Sequence, residues 1–205
     1  MIPLEIIPTF LFYSFITSIT PGPANLSSLS LALSRGRNTA LKQWTGLFTG
    51  FTIVSLISSF IAYFIGNALE ENAGILSVLG AAYIFWLAVH LLREKQVADE
   101  SPIKITDGKI SQYFRRGVFV QLTNVKIMFF CVTVQTTFLL PYDHSLTSAI
   151  LLALILPFIG PVCNLAWLFT GAALQRFFVN YQKQVNVVMA VSLALCAVSL
   201  LNPAI

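Results

Sequence analysis

The first residues suited to ligand binding form a Pro-Gly-Pro segment, Thr20–Asn25, inside a long apolar run. Proline has no N–H, so Pro21 and Pro23 leave the carbonyls of Thr17 and Ile19 without their helical partners. Pro23 also suits the first position of a new helix, whose open N–H groups favour an anion. The segment predicts a broken helix that offers carbonyls to an ammonium group and amides to a carboxylate. The alternative is a kink that only helps helices to pack.

A second polar group lies in the fourth apolar run, where Gln121, Thr123, Asn124 and Lys126 occur within two helical turns. Lys126 is about 15 Å of helix beyond Arg116, which places it deep in a membrane. A charge there costs at least ~2.5 kcal/mol on insertion scales, so it is a functional candidate. Its options are freed carbonyls, water, a neutral state or a substrate carboxylate. The alternative is a side chain that extends to the cytoplasmic surface.

The fifth apolar run contains Pro157, Gly160 and Pro161, followed by Cys163 and Asn164. The prolines predict a second distortion, which is either a packing kink or a wall of the binding site. The residues that we predict to bind substrate are Thr20, Pro21, Gly22, Pro23, Asn25, Gln121, Thr123, Asn124, Lys126 and Asn164.

The composition indicates which elements position these residues. Hydrophobic residues make up 57% of the chain and charged residues 10%, whereas a typical globular domain has about 25% charged residues. Apolar runs long enough to cross or nearly cross a bilayer occur at 6–33, 44–65, 75–92, 118–140, 149–174 and 185–201. We therefore predict an all-α integral membrane protein of six transmembrane helices, with a broken first helix and one transmembrane domain over 1–205.

The connectors between these runs alternate in charge. Lys and Arg occur in the first, third and fifth connectors, and the second and fourth have none. Because basic residues near span ends stay in the cytoplasm, both termini are predicted to be periplasmic. The long polar connector 94–111 is then cytoplasmic, and it divides the spans three and three. An odd number of spans per half is compatible with two inverted three-helix halves, as in many secondary transporters.

Several classes of function are disfavoured by the sequence. It has no Gly-rich phosphate loop for nucleotide-driven pumping, so energy would come from a gradient, with protons as the candidate coupling ion. Its three cysteines show no metal-ligand spacing. No cofactor, metal or nucleic-acid partner is expected, and the apolar runs lack the paired groups of an intramembrane enzyme. The expected partners are a small amino acid and the lipid bilayer, with a homodimer left open.

The chain resembles the lysine-exporter and homoserine/threonine-resistance (LysE/RhtB) family of bacterial amino-acid exporters. The resemblance covers most of the chain and rests on Thr20–Asn25, on Gly46 with Gly50, on Gly80–Ala88 and on Gln121–Lys126. It implies a six-span exporter in the bacterial inner membrane. The glycines at 46 and 50 form the G-x-x-x-G pattern of close helix packing.

Val125 stands where this family often has proline, so the fourth span lacks a proline to break it. Within the family, the segments Asn124–Lys126, Val132–Pro141 and Val162–Asn164 are most similar to exporters of cysteine and O-acetylserine. The resemblance implies secondary-active efflux of a small zwitterionic amino acid or derivative of that type. The alternatives are export of another amino acid, such as homoserine or threonine, and a non-transporting membrane scaffold. A cationic substrate is less favoured because the apolar runs hold no acid.

Overall fold

The structure is a computed structural model that describes residues 2–68 and 110–181 continuously. Outside these ranges it describes residues 78, 81, 82, 85, 86, 89, 183, 184, 187, 188, 190, 191, 194 and 198. Every regular element in the described part is helical, which confirms the all-α class.

The first span is broken, as predicted. Helix α1 (Ile7–Ile19) and helix α2 (Pro23–Arg35) meet at an angle of 48°. The last backbone bond of α1 runs from the N–H of Thr20 to the carbonyl of Ile16, and the chain is extended at Thr20. Pro23 lies at the first position of α2, where its missing N–H costs nothing.

Helix α3 (Arg37–Ala68) follows α2 after a single glycine. Gly36 has a φ of 83°, a conformation that favours glycine and lets the chain reverse. The helix begins seven residues before the predicted apolar run at 44. Backbone N–H and carbonyl groups form helical hydrogen bonds in polar turns as well as in apolar ones, so hydropathy does not mark the start of the helix. One of these polar residues, Gln43, is buried and donates to Ser27 Oγ at 2.7 Å.

The fourth span differs most from the sequence-based expectation. It consists of α4 (Ile110–Leu122) and α5 (Val125–Thr133), which meet at an angle of 58°, and α5 continues as a π-helix, Val134–Leu139. Helix α4 begins eight residues before the apolar run that we predicted from 118, in polar residues that the hydropathy pattern assigned to the connector. The span also breaks without proline, at Asn124, whose backbone is extended.

Glycines let α3 and α4 pack closely, which confirms the packing role of Gly46 and Gly50. A Cβ atom at Gly46 would collide with the carbonyl of Phe114, and one at Gly117 with the carbonyl of Gln43. A Cβ at Gly50 would lie 2.8 Å from Cβ of Gln121. Gly50 thus allows the Gln121 side of α4 to lie directly against α3.

The fifth span is distorted at its prolines, as predicted. It contains α6 (Leu146–Ile155), a 3-10 turn at Leu156–Phe158 and α7 (Gly160–Asn180). Among the described residues, the helical stretches 37–64 and 146–170 are long and apolar enough to cross a membrane, and the two bent pairs bring the count to four. The predicted spans 75–92 and 185–201 and the connector 94–111 lie largely outside the described residues.

Aromatic residues fill the core between α1, α3 and α5. Tyr13 stacks on Phe130 and Phe138 with ring centroids 5.8 Å and 5.5 Å apart, and Phe51 meets the edge of Phe130 at 6.2 Å. These four rings are almost completely buried, and we call them the aromatic layer. Many other large apolar side chains, among them Phe60 and Phe129, are exposed on the outside of the helices, as expected of a surface that faces lipid.

Candidate functional site

The break in the first span leaves the last carbonyls of α1 without helical partners, and side chains supply the missing donors. Thr20 Oγ1 donates to the carbonyl of Thr17 at 2.7 Å, and Trp167 Nε1 donates to that of Ile19 at 2.9 Å. Asn25 Nδ2 donates to the carbonyls of Ser18 and Thr20 at 3.0 Å and 2.7 Å. The carbonyls freed by the prolines are thus bonded within the protein. A substrate ammonium group at these carbonyls would share them with the protein's own donors, since a carbonyl oxygen can accept two hydrogen bonds.

Lys126 lies at the start of α5 and reaches across to the broken end of α1. Its Nζ donates to Thr20 Oγ1 at 2.6 Å, to the carbonyl of Thr20 at 3.1 Å and to that of Pro21 at 3.2 Å. Lys126 is therefore hydrogen-bonded to carbonyls at the break in the first span. Its side chain does not extend to the cytoplasmic surface. The ammonium group occupies the negative end of the α1 dipole, where a cation is favoured.

An amide network connects the break to the fifth span. Asn164 Nδ2 donates to Asn25 Oδ1 at 2.8 Å, and Ser28 Oγ donates to Asn164 Oδ1 at 2.7 Å. All three side chains are buried. Asn25 therefore uses both its donors on α1 and its acceptor on α7, which fixes the broken first span against the distorted fifth span.

These elements surround a small, partly open cavity. Both breaks and the fifth-span distortion contribute to its wall. The lining residues are Thr17, Ser18, Gly22, Ala24, Asn25, Leu47, Phe51, Gln121, Asn124, Lys126, Ile127, Gly160, Pro161 and Asn164. Gly160 and Pro161 therefore form part of the cavity wall, and the interpretation of the fifth-span prolines as a wall of the binding site stays a prediction.

Four lining side chains have polar atoms without a partner. Thr17 Oγ1, Ser18 Oγ, Gln121 Oε1 and Asn124 Oδ1 are buried and form no hydrogen bond within the described part of the protein. A buried polar atom left unpaired costs about 1–3 kcal/mol. Oxygen atoms that border a cavity in this state are suited to bind hydrogen-bond donors of a ligand.

The structure brings most, but not all, of the predicted site residues to the cavity. Six of the ten line it, namely Gly22, Asn25, Gln121, Asn124, Lys126 and Asn164. Thr20 and Pro21 lie just behind it as acceptors for Lys126. Pro23 is exposed at the start of α2. Thr123 is also exposed, outside the cavity lining, and its hydroxyl donates to the carbonyl of Phe119 one turn earlier.

Sequence reasoning did not select several lining residues. Thr17 and Ser18 lie within one turn of the Pro-Gly-Pro segment, and hydroxyl side chains in an apolar run could have drawn attention to them. Leu47, Phe51 and Ile127 gave no such signal. Apolar residues of a cavity wall resemble any other residue of a membrane helix until the packing is known.

Comparison with known proteins places the chain among bacterial translocators. Residues 15–203 match the family described as LysE type translocator. The chain is 34% identical to the cysteine/O-acetylserine efflux protein of Klebsiella pneumoniae, over 94% of this chain and 95% of that protein. It is also 34% identical to the protein of that name from Escherichia coli K12, over 94% of this chain and 96% of that protein. No solved structure matches the chain significantly.

The cap formed by Asn25 predicts a specific loss of stability. Asn25→Asp keeps the shape of the side chain but replaces Nδ2, which donates to the carbonyls of Ser18 and Thr20, by an oxygen atom that cannot donate. We expect the free energy of unfolding to fall by about 1–3 kcal/mol, because the carbonyl of Ser18 loses its side-chain donor and that of Thr20 keeps only Lys126 Nζ. Thermal unfolding of the detergent-purified protein would measure this. Ser34→Ala, at an exposed position of the same helix, is the control, and equal melting temperatures for both variants would contradict the role of the cap.

Proposed function

We propose that this chain, which belongs to the LysE type translocator family, exports a small zwitterionic amino acid or derivative of the cysteine/O-acetylserine type. Family membership makes it a multi-pass transporter of the inner membrane, and neither an enzyme nor a passive scaffold. The two relatives named above are efflux proteins for cysteine and O-acetylserine. Their names support the proposed substrate class.

The observation that carries the proposal is the distribution of charge around the cavity. Among the described lining residues, Lys126 is the only charged one, and it lies at the same end as the first turn of α2. Gln121 and Asn124 of the fourth span line the same cavity, and their side-chain oxygen atoms have no hydrogen-bond partner within the described part of the protein. The Lys126 cation and the first N–H groups of α2 are suited to a carboxylate, and the neutral acceptors are suited to an ammonium group. Together they complement a molecule that has both groups.

The substrate carboxylate would bind Lys126 and the open N–H groups of Ala24 and Asn25. The substrate ammonium group would bind the side-chain oxygen atoms of Gln121 and Asn124. This assignment replaces the carbonyls of the first break, which already have partners, by amide oxygens that lack them. The backbone N–H groups of Ala24 and Asn25 keep the role that the sequence predicted for them, which is to bind the substrate carboxylate.

Binding of a carboxylate at Lys126 would also alter the contact between the two broken spans. Lys126 is the side chain that joins the start of α5 to the end of α1 through the Thr20 and Pro21 oxygens. A substrate that draws the ammonium group away weakens this contact and favours a different arrangement of the two spans. A proton released from Lys126 would act on the same contact, so we propose protons as the coupling ion. A homodimer stays a prediction.

The cavity also bears on which amino acid is exported. A lysine or arginine side chain carries a second cation, and no acid is present among the described lining residues to bind it. A buried unpaired charge is costly. Homoserine and threonine have neutral side chains and satisfy the same constraint, so they are the second candidates.

Transport by inside-out membrane vesicles tests the proposed function. Vesicles with this protein should accumulate labelled O-acetylserine faster than vesicles from cells without it. Excess unlabelled cysteine should compete, whereas excess lysine should not, because lysine lacks a partner for its second cation. Accumulation equal to that of the control vesicles would refute the proposed substrate. Stronger competition by threonine or homoserine than by cysteine would favour the alternative.

The orientation of the chain is proposed from its connectors, with both termini in the periplasm. The first connector has three basic residues, Arg35, Arg37 and Lys42, and the fourth has none. An alkaline phosphatase fused to the C-terminus should therefore be active. An inactive fusion, with a fluorescent GFP fusion at the same position, would show the opposite orientation.

Lys126 is proposed to serve both substrate binding and coupling, and two substitutions separate these roles. Lys126→Met removes the charge and should reduce uptake of O-acetylserine to background. Lys126→Arg keeps the charge but does not release its proton, so it should abolish the dependence of uptake on pH. Lys183→Met, at an exposed position, is the control. If the arginine variant keeps the rate and pH dependence of the wild type, Lys126 is a fixed anchor and protons are coupled elsewhere.

A further inference from the structure

A second group of polar side chains is buried between α3, α5 and α6, away from the cavity. Ser55 and Ser59 of α3 and Gln135 of the π-helical segment have no exposed surface. Gln135 Nε2 donates to Ser59 Oγ at 2.7 Å and to the carbonyl of Ala149 at 3.0 Å. We call Ser55, Ser59 and Gln135 the outer polar cluster.

The outer polar cluster lies farther along the same two helices, α3 and α5, that contribute to the cavity wall. Phe51 of α3 and Ile127 of α5 belong to the cavity wall. Ser59 follows Phe51 by two helical turns and Gln135 follows Ile127 by two turns, which is about 12 Å of helix. The cluster therefore lies farther from the basic end of α3, on the side that the proposed orientation assigns to the periplasm.

Two rings of the aromatic layer, Phe51 and Phe130, lie between the two polar regions along α3 and α5. Phe130 contacts both Phe51 and Tyr13, and Phe51 itself borders the cavity. A Cβ atom at Gly160 would collide with the ring of Phe51, so this ring fills the space up to the fifth span. The described conformation thus places apolar rings between the cavity and the outer polar cluster.

The outer polar cluster is not fully hydrogen-bonded. Gln135 Oε1 is buried and has no hydrogen-bond partner within the described ranges, and the partner of the Ser55 hydroxyl is the Cys131 thiol, a weak one. In a membrane interior an unpaired group is expensive, and lipid offers no donor to satisfy it. Gln135 also lies in a π-helical segment, an element frequently found at functional sites. An unpaired amide oxygen and a weakly bonded hydroxyl are together suited to a ligand that brings donors.

We infer that the outer polar cluster is a second substrate contact, which binds the ammonium group of the amino acid after it passes the aromatic layer. This inference rests on the proposed function. An ammonium group has three N–H donors and matches the acceptors Gln135 Oε1 and Ser55 Oγ. The cluster has no charged side chain, so it binds more weakly than the cavity, as release from an exit route requires.

Two substitutions in the outer polar cluster test the inference with labelled O-acetylserine and inside-out vesicles. Gln135→Met keeps an unbranched side chain without the acceptor, and Ser55→Ala removes a single oxygen atom. The maximal rate of uptake should fall about tenfold in Gln135→Met, the effect of losing one hydrogen bond to a charged group. The half-saturating concentration should stay unchanged, because the cavity is intact. Thr136→Val is the matched control, since its hydroxyl bonds to its own helix.

The outcomes distinguish this inference from the proposed function. No uptake by the wild type would overturn the proposed function, and the inference with it. Normal maximal rates in both variants, beside an active wild type, would overturn the inference alone and leave the cluster as a tether between helices. A raised half-saturating concentration at an unchanged maximal rate would also overturn it. Ser55→Ala removes too little to prevent folding, and gel filtration in detergent verifies this.

Discussion

The structure depends on how the end of α1 is capped within a membrane. Breaking a helix inside the bilayer exposes carbonyls for which lipid provides no donors, at a cost of several kcal/mol for each one left unpaired. The protein meets this constraint with side chains from three other segments, namely Asn25 of α2, Lys126 of α5 and Trp167 of α7. The positions of these segments around α1 are therefore coupled to the break itself.

The same constraint explains why the two broken spans lie together. The start of α5 supplies a cation, and the end of α1 supplies the partial negative charge that stabilises it. The first and fourth spans occupy corresponding places in the two halves of the predicted topology, and both are interrupted. This correspondence supports, as a hypothesis, an inverted relation between the halves, with substrate bound where the breaks meet.

Polar atoms in this protein have two kinds of surroundings, and the difference bears on function. Those at the cap are fully paired and fix the helices in place, whereas those of the cavity and the outer polar cluster retain unpaired oxygen atoms. Along α3 and α5, the rings of Phe51 and Phe130 lie between these two polar regions. An exporter that moves its substrate along these helices would open the rings and exchange one set of acceptors for the other.

Features that depend only on residue type could be predicted from the sequence. Proline lacks an N–H, which predicted the break at Pro21–Pro23 and the distortion before Pro161, and a charge among apolar residues identified Lys126. What these features contact depends on how the helices pack. The break at Asn124 has no proline to announce it, and hydropathy does not predict that α4 begins at Ile110.

The hydrogen-bond partners of the polar groups also depend on how the helices pack. The sequence identified the carbonyls that Pro21 and Pro23 would free, but Thr20 and Trp167 bond to them. Trp167 lies far along the chain from Ile19, and no periodicity relates the two residues. Which oxygen atoms stay open to a substrate depends on donors that arrive from distant segments, and these are brought together only when the helices pack.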